Sequence, residues 1–493
     1  MPPPPATSVT DVPNPPIAVV AEASLGDVST GMDAVRTELE VPVRFPDDVV
    51  AAASAAATSA GTVAGGHVDR TGVELVTIDP PGSRDLDQAF GAERRAGGGV
   101  RVWYAIADVA AFVAPGDAID AEAHRRGVTF YGPDGRVPLH PPELSEGAAS
   151  LLPDGDRPAL LWSIDLDRAG APVATRLERA LVRSRAQLTY AEVARAVADG
   201  TAPDALVLLR RIGELRLAAE AARGGVSLPL PDQVVEPGPD GDLRLAYAAP
   251  VVSEDWNAQV SLLTGMEAAR IMVEGGTGLV RTLPAADERT LARLRRSAVA
   301  LGAAWPPRGG YPAFVRSLDP TTPTGAALLV QSARTLRGAG YVGFAGGAVP
   351  DEHRHAAVAA PYAHVTAPLR RLCDRAANEV VLALVDGRAV PEWAAAEVAL
   401  LPEVMAEATR REGAYARAAL DLVEALVLRS SVGHHFPAVV VDVDDDRAQV
   451  QLREPAVVAR ARHDGGCEPG VEVDVVVRAA DPVARRLDLE VVG

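Results

Sequence analysis

The stretch Ile78-Asp79-Pro80-Pro81-Gly82-Ser83-Arg84-Asp85-Leu86-Asp87-Gln88 constrains this chain more than any other. A largely apolar run from Val73 ends in a carboxylate, Asp79. The Pro-Pro-Gly-Ser segment then forces a turn, because proline fixes φ and glycine accepts positive φ. Two more carboxylates follow at alternate positions, Asp85 and Asp87, and alternate residues of an extended chain point the same way. Asp79, at the mouth of its strand, is therefore expected to face Asp85 and Asp87 across the turn.

Carboxylates this close repel one another, so at least one must hold a proton unless a cation joins them. Oxygen-only ligands favour Mg²⁺ or Mn²⁺ over Zn²⁺. The chemistry that such a site serves is metal-assisted attack on a phosphate ester. A solvated acidic turn is the alternative reading of the same residues.

At 493 residues the chain has room for about two to four domains and a large core. No apolar run reaches the ~18 residues that span a bilayer, and no basic-then-apolar leader opens the sequence. Cys373 and Cys467 have no metal-ligand spacing and suggest no disulfide framework. The expectation is a soluble, cytoplasmic protein without membrane association. A net charge of -18 argues against indiscriminate coating of nucleic acid, but not against a local basic channel. All 48 basic residues are arginine, the better bidentate phosphate ligand. A GC-rich genome that replaces lysine codons explains the same bias.

In chain order, residues 1–30 are proline-rich and read as a disordered tail, and residues 31–69 as a short helical lead-in. Strands are expected at 74–79, 87–95 and 100–113, with a hairpin at 94–99. Asp108, amid apolar neighbours, reads either as support for the carboxylate site from behind or as a structural hydrogen-bonding group. Further strands fall at 159–166 and 173–184. Helices fall at 191–198, 205–223, 254–274, 287–301 and 326–338, with a loop-rich connection at 306–323. Pro368 suits the first turn of a helix that Thr366 caps, which would put Arg370 and Arg371 at a helix start that favours an anion. Helices continue at 375–384 and 393–430. From Gly433 the period changes to two, and about five short strands give the rhythm of a small OB-type barrel, a common single-stranded nucleic-acid module.

Two motifs then converge. Ile78-Asp79-Pro80 through Asp85-Leu86-Asp87-Gln88-Ala89 resembles the signature of the RNB family, the ribonuclease II/R exoribonucleases. Tyr362-Ala363-His364-Val365-Thr366-Ala367-Pro368-Leu369-Arg370-Arg371-Leu372 resembles that family's second signature. Ala105 to Val109, Arg126 to Tyr131 and Leu144 to Pro153 match in order between them. The resemblance implies an α+β fold: an RNB catalytic domain over residues 70–430, then an OB-type barrel over 433–493. It implies 3′-to-5′ hydrolysis of single-stranded RNA to nucleoside 5′-monophosphates by a monomer that needs Mg²⁺, or Mn²⁺. Asp79, Asp85 and Asp87 would hold the metal, with Asp87 the most essential. Arg370 would hold the scissile phosphate beside Arg371, and Tyr131 would stack on the 3′-terminal base. Tyr190 would help to tell RNA from DNA.

Three departures modify that expectation. The carboxylate that usually follows the Asp-x-Asp pair is Gln88 here, a modified metal-site position that would weaken a second metal. The paired acids expected near the long core helix fit Glu254 to Gln259 only loosely. The family's N-terminal pair of cold-shock barrels has no counterpart in the residues before the catalytic region, which predicts a weaker grip on RNA. A catalytically impaired RNA-binding protein is therefore the alternative, and a small-substrate phosphatase ranks below both.

Overall fold

The structure is a computed structural model of the chain. It describes residues 21–59, 66–229, 232–237, 242–248, 251–305, 310–320, 322–444, 446–452 and 454–492. The chain divides into two compact units, one formed by Ser29–Asp232 and Ala249–Leu420, the other by Met1–Val28, Gln233–Ala248 and Asp421–Gly493.

The larger unit is built on a six-stranded sheet of β1 (Val68–Asp69), β2 (Leu75–Ile78), β3 (Gln88–Arg94), β4 (Val100–Ala107), β5 (Asp156–Leu166) and β6 (Pro172–Leu188). The order is β1-β6-β2-β3-β4-β5, and β5 also pairs with β6. Strand β6 can do both because it is 17 residues long. Its first part runs antiparallel to β5, and its last residues, Ser184 to Leu188, run parallel to β2. The sheet thus curls back on itself. The β3–β4 hairpin turns through Gly97 and Gly98, both at φ 83°, where a side chain would be strained. The Pro-Pro-Gly-Ser turn forms as the sequence requires, with Gly82 at φ 81° and the Ser83 N–H on the Pro80 carbonyl.

Alternation along the strands sends Leu75, Ala89, Ala105, Ala107, Leu161 and Val182 into one core, closed by Val49 and Ala53 of helix α1 (Asp47–Thr58) and Ile119 of α2 (Ala118–Arg126). The small alanines let helix and sheet approach closely. Tyr104 and Trp162 alternate with that set and are buried as well. Helices α3 (Asp204–Arg223) and α4 (Val252–Gly275) lie close together, since a Cβ on Gly213 would sit 2.6 Å from that of Trp256. Helices α5 (Leu372–Val385) and α6 (Glu392–Leu428) complete the main elements.

In the smaller unit, β7 (His435–Val443), β8 (Arg447–Leu452), β9 (Val458–Arg462), β10 (Glu472–Asp481) and β11 (Arg486–Val492) close into a barrel of order β7-β8-β9-β11-β10. The parallel β9–β11 contact closes the ring. Val440, Val450, Val475 and Leu489 are among its buried side chains. The α+β fold with a C-terminal five-stranded barrel is as expected. Among the described residues, no helix is long and apolar enough to cross a membrane.

Two sequence expectations need correction. Of the tail at 1–30, residues 1–20 lie outside the described residues, but Ala21–Ser24 is a strand and Leu25–Glu38 a helix. The stretch 306–323 holds a helix, Gly310–Arg316. Its Phe314 is fully buried and stacks on Trp305 at 4.0 Å. Proline suggested a loop there, but Pro312 sits near the helix start, where its missing N–H costs nothing.

Gly127 ends α2 at φ 75°, and a Cβ added there would lie 2.4 Å from that of Ala408 on α6. Gly127→Ala should therefore destabilise the larger unit by about 2–4 kcal/mol, combining left-handed strain with overpacking. Urea denaturation followed by tryptophan fluorescence would check this, and an unchanged midpoint would contradict it.

Candidate active site

The first motif leaves the sheet at Ile78, and the second arrives from nearly three hundred residues later. Asp79 is fixed at the end of β2, where its N–H reaches the Leu188 carbonyl at 3.0 Å. After the turn, residues 84–87 are held by the segment around Ser150. The Leu86 N–H donates to Ser150 Oγ at 3.0 Å, and the Ser150 hydroxyl donates to the Arg84 carbonyl at 2.6 Å. The Leu151 N–H reaches the Leu86 carbonyl at 3.0 Å. Leu86 is buried, so Asp85 and Asp87 on either side face away from it.

Asp87 joins the two motifs. It is 3% exposed. Its Oδ1 accepts from the Leu369 N–H at 2.8 Å, and its Oδ2 from Arg370 Nε at 3.1 Å. Burial pushes its pKa to about 7, against the pull of Arg370 and the Leu369 N–H. Asp79 is raised to about 6, chiefly by burial, with Arg370 opposing and the charge of Asp85 adding to the rise. One of its oxygens, Oδ2, is buried with no hydrogen-bond partner. Asp85 accepts from Tyr131 Oη at 3.0 Å and Arg136 Nη1 at 2.8 Å. Tyr131 and Arg136 are cross-strand partners in the hairpin Phe130–Gly132 and Gly135–Val137, which explains why both reach one carboxylate. The Tyr131 side chain remains 48% exposed.

The second motif folds differently from expectation. Helix α5 begins at Leu372, its N-cap is Arg371, and no side chain caps it. Thr366 and Pro368 precede the helix in a tight turn. Hydrogen bonds from neighbouring elements decide this: the Ala367 N–H goes to Asp374 Oδ2 at 2.7 Å, Asn378 Nδ2 to the Val365 carbonyl at 2.8 Å, and the Leu369 N–H to Asp87. Arg370 thus projects from the turn with its Nε on Asp87 and its side chain 45% exposed. Arg371, expected to bind substrate, is committed elsewhere. Its Nε and Nη2 hold Asp374 at 3.0 and 2.8 Å.

Gln88 is also engaged. Its Nε2 donates to the Thr366 carbonyl at 2.5 Å, and its Oε1 accepts from Tyr104 Oη at 2.7 Å. Tyr190 starts the helix Tyr190–Ala198, which is fixed by a Thr189–Glu192 capping box. Its hydroxyl meets Asn257 Nδ2 at 3.5 Å, and Ser253 Oγ donates to its carbonyl at 2.7 Å. In the loosely matching stretch at 254–259, Asn257 is therefore the residue beside Tyr190. Asp108 is fully buried on His67 Nε2 at 3.0 Å and Arg179 Nε at 2.9 Å, none of them in the carboxylate site, so the structural reading of that residue holds. Arg136, Tyr104, Ser150 and Asn257 were not singled out from the sequence. Only Arg136 had a local signal, its place opposite Tyr131 across a Gly-Pro-Asp-Gly turn.

Asp79, Asp85 and Asp87 form an all-oxygen donor set with one orphaned buried oxygen, which suits a hard divalent cation. Among the described residues, ligand atoms lie within 4.8 Å of one another in two groups, His364–Cys373–Asp374 and Asp120–His124–Glu397, and the three aspartates, set farther apart than that in this structure, are not one of them. Each of those two groups already holds a cation of the protein. Asp374 carries Arg371, and His124, raised to about 10 by Asp120 and then Glu397, is itself charged between two carboxylates.

Comparison with known proteins supports the same region. The RNB domain model matches residues 68–387, and the RNase II-type exonuclease C-terminal S1 domain model matches residues 434–492. Ribonuclease R of Escherichia coli is 37% identical over 174 residues, 34% of this chain and 21% of that protein. The chain thus spans about a fifth of that relative's length. The RNase R of Mycoplasma genitalium, solved with ribose-methylated single-stranded RNA, superposes with a TM-score of 0.84 at 17% identity, over 94% of this chain and 78% of that one. The yeast pseudonuclease Ssd1 superposes with a TM-score of 0.68 at 16% identity, over 89% and 56%.

The raised acids give a pH signature to the metal-free protein. Both folded-state values lie above the ordinary 3.8, so the native state binds protons more tightly than the unfolded chain. The resulting stabilisation is complete below about pH 4 and is lost as pH rises through about 6 and 7. In chelator, Asp87→Asn should melt above wild type at about pH 8, and the gap should close towards about pH 5. A variant that melts below wild type throughout would contradict this, as would a gap that ignores pH.

Proposed function

The chain belongs to the RNB family, and on that premise we propose that it is a metal-dependent 3′-to-5′ exoribonuclease that hydrolyses single-stranded RNA to nucleoside 5′-monophosphates. The observation that carries the proposal is the junction of the two motifs at Asp87. One buried carboxylate of the first motif takes an N–H and a guanidinium from the second.

In this reading Asp79, Asp85 and Asp87 would hold Mg²⁺, or Mn²⁺, which when bound would supply positive charge at the scissile phosphate and make water there more acidic. The rest is done by the chain's own groups. Arg370 uses Nε to stay oriented on Asp87, which leaves its Nη groups to grip the scissile phosphate and offset the charge that develops there. Asp87, shared between the cation and the attacking water, would take that water's proton. Tyr131 offers an exposed ring for the 3′-terminal base, while its hydroxyl on Asp85 fixes the ring beside the acids. Tyr190, whose hydroxyl meets Asn257 at 3.5 Å, would help to tell RNA from DNA. The C-terminal barrel adds a second RNA-binding surface, and the protein works as a cytoplasmic monomer.

A second reading is favoured by one observation. Gln88 removes a charge from the acidic motif, and a pseudonuclease shares this fold. On that reading the chain binds RNA without cutting it.

A time course on 5′-labelled single-stranded RNA with Mg²⁺, with Mn²⁺ and with chelator separates the two. The proposal expects a ladder shortening from the 3′ end that chelator abolishes. Intact RNA in every lane, with binding retained in a gel shift, would leave only the second reading. Asp87→Asn should lower the rate about 10³-fold or more while RNA affinity stays within about threefold. Tyr131→Ala should weaken binding of the 3′ end by about 1–3 kcal/mol, read by fluorescence anisotropy in chelator.

A further inference from the structure

We infer that Gln88 is a positioning residue for Arg370: its side-chain amide latches β3 to the backbone of the second motif, in place of a metal ligand. The inference rests on the exoribonuclease reading of the site.

The hydrogen-bond directions are fixed by chemistry. The Thr366 carbonyl can only accept, so the atom 2.5 Å from it must be the amide nitrogen of Gln88. The amide oxygen then faces Tyr104, whose hydroxyl donates to it at 2.7 Å. Tyr104 Oη is left to accept from Ser261 Oγ at 2.7 Å. A directed chain therefore runs from α4 through Tyr104 on β4 to Gln88 on β3, and on to Thr366. The nitrogen of Gln88 cannot bind a cation, and its oxygen is already turned to Tyr104 with a single lone pair left over. A carboxylate at position 88 would set oxygen against the Thr366 carbonyl, and aspartate would also be one methylene too short.

Thr366 lies four residues before Arg370. Asp374 and Asn378 of α5 hold the intervening backbone from one side, through Ala367 N–H and the Val365 carbonyl. Gln88 and Asp87, adjacent in sequence, hold it from the other, through Thr366 and Leu369. Removing the Gln88 contact leaves the sheet side with Asp87 alone, and the turn that aims Arg370 is free to shift. A misplacement of about 1 Å at such a site lowers turnover about 100-fold.

The test is a double-mutant cycle with a metal readout. Gln88→Ala should lower kcat about 10- to 100-fold in an otherwise wild-type chain. In an Arg370→Ala background the same change should have no further effect, because the residue it positions is gone. A merely structural role would persist in that background. Mn²⁺ stoichiometry and affinity, followed by electron paramagnetic resonance, should match between wild type and Gln88→Ala. Weaker or fewer bound Mn²⁺ in Gln88→Ala would overturn the inference and make Gln88 a ligand. An undiminished cost of Gln88→Ala in the Arg370→Ala background would overturn it too. If wild type yields no product, the exoribonuclease reading has failed. The cycle is then read on RNA affinity in chelator, where additive losses would overturn the latch and non-additive losses would support it.

Discussion

The buried contact of Asp87 with the Leu369 N–H and Arg370 is the interaction on which the rest depends. A carboxylate is rarely buried without partners, because desolvation of its charge is not recovered otherwise. Here the partners come from a segment nearly three hundred residues away, so the charge is tolerated only once both motifs are in place. Removing the Arg370 side chain would leave the Asp87 charge buried with one partner fewer, a change that typically costs about 3–5 kcal/mol, whereas Asp87→Asn removes the buried charge itself. The fold therefore reads as a frame that presents two short segments to each other: a curled sheet for the acids, and a turn ahead of α5 for the arginine.

The same logic explains which charged groups act and which hold. Arg371 and Asp374 neutralise each other, as do Arg179 and Asp108, and each pair ties an element to its neighbour. Arg370 differs because one face of its guanidinium orients it on Asp87 while the remainder stays open. Asp79 differs because, among the described residues, it forms no ion pair, and one of its buried oxygens has no hydrogen-bond partner. Groups left incompletely satisfied in a well-satisfied surround are where a ligand gains most. Here they are an acid and an arginine, the opposite charges that a cation and a phosphate require.

Much of this was legible in the sequence. The order Asp79, Pro-Pro-Gly-Ser, Asp85, Asp87 carries strand, turn and alternation in its local chemistry, and the structure shows each of them. The strands of the barrel were legible for the same reason, since a period of two does not depend on distant residues. The helix start at Pro368 was misread because propensity was set against three side-chain hydrogen bonds to this backbone, two with Asp374 and Asn378 of the following helix and one with the distant Asp87, and those prevailed. The helix at Gly310–Arg316 was misread because proline reads as a breaker unless its position in the first turn is known.

The sequence by itself determined the acidic motif, the alternating strands and the family, because these rest on local geometry and residue order. Only the tertiary structure decided what each side chain does there. Arg370 and Arg371 are adjacent and chemically alike, yet one meets Asp87 and the other Asp374. Gln88 reads as a weakened ligand in the sequence, and only in the fold does its amide meet Thr366 and Tyr104. Such assignments depend on which partner lies within about 3 Å, a distance set by packing between segments that the sequence keeps far apart.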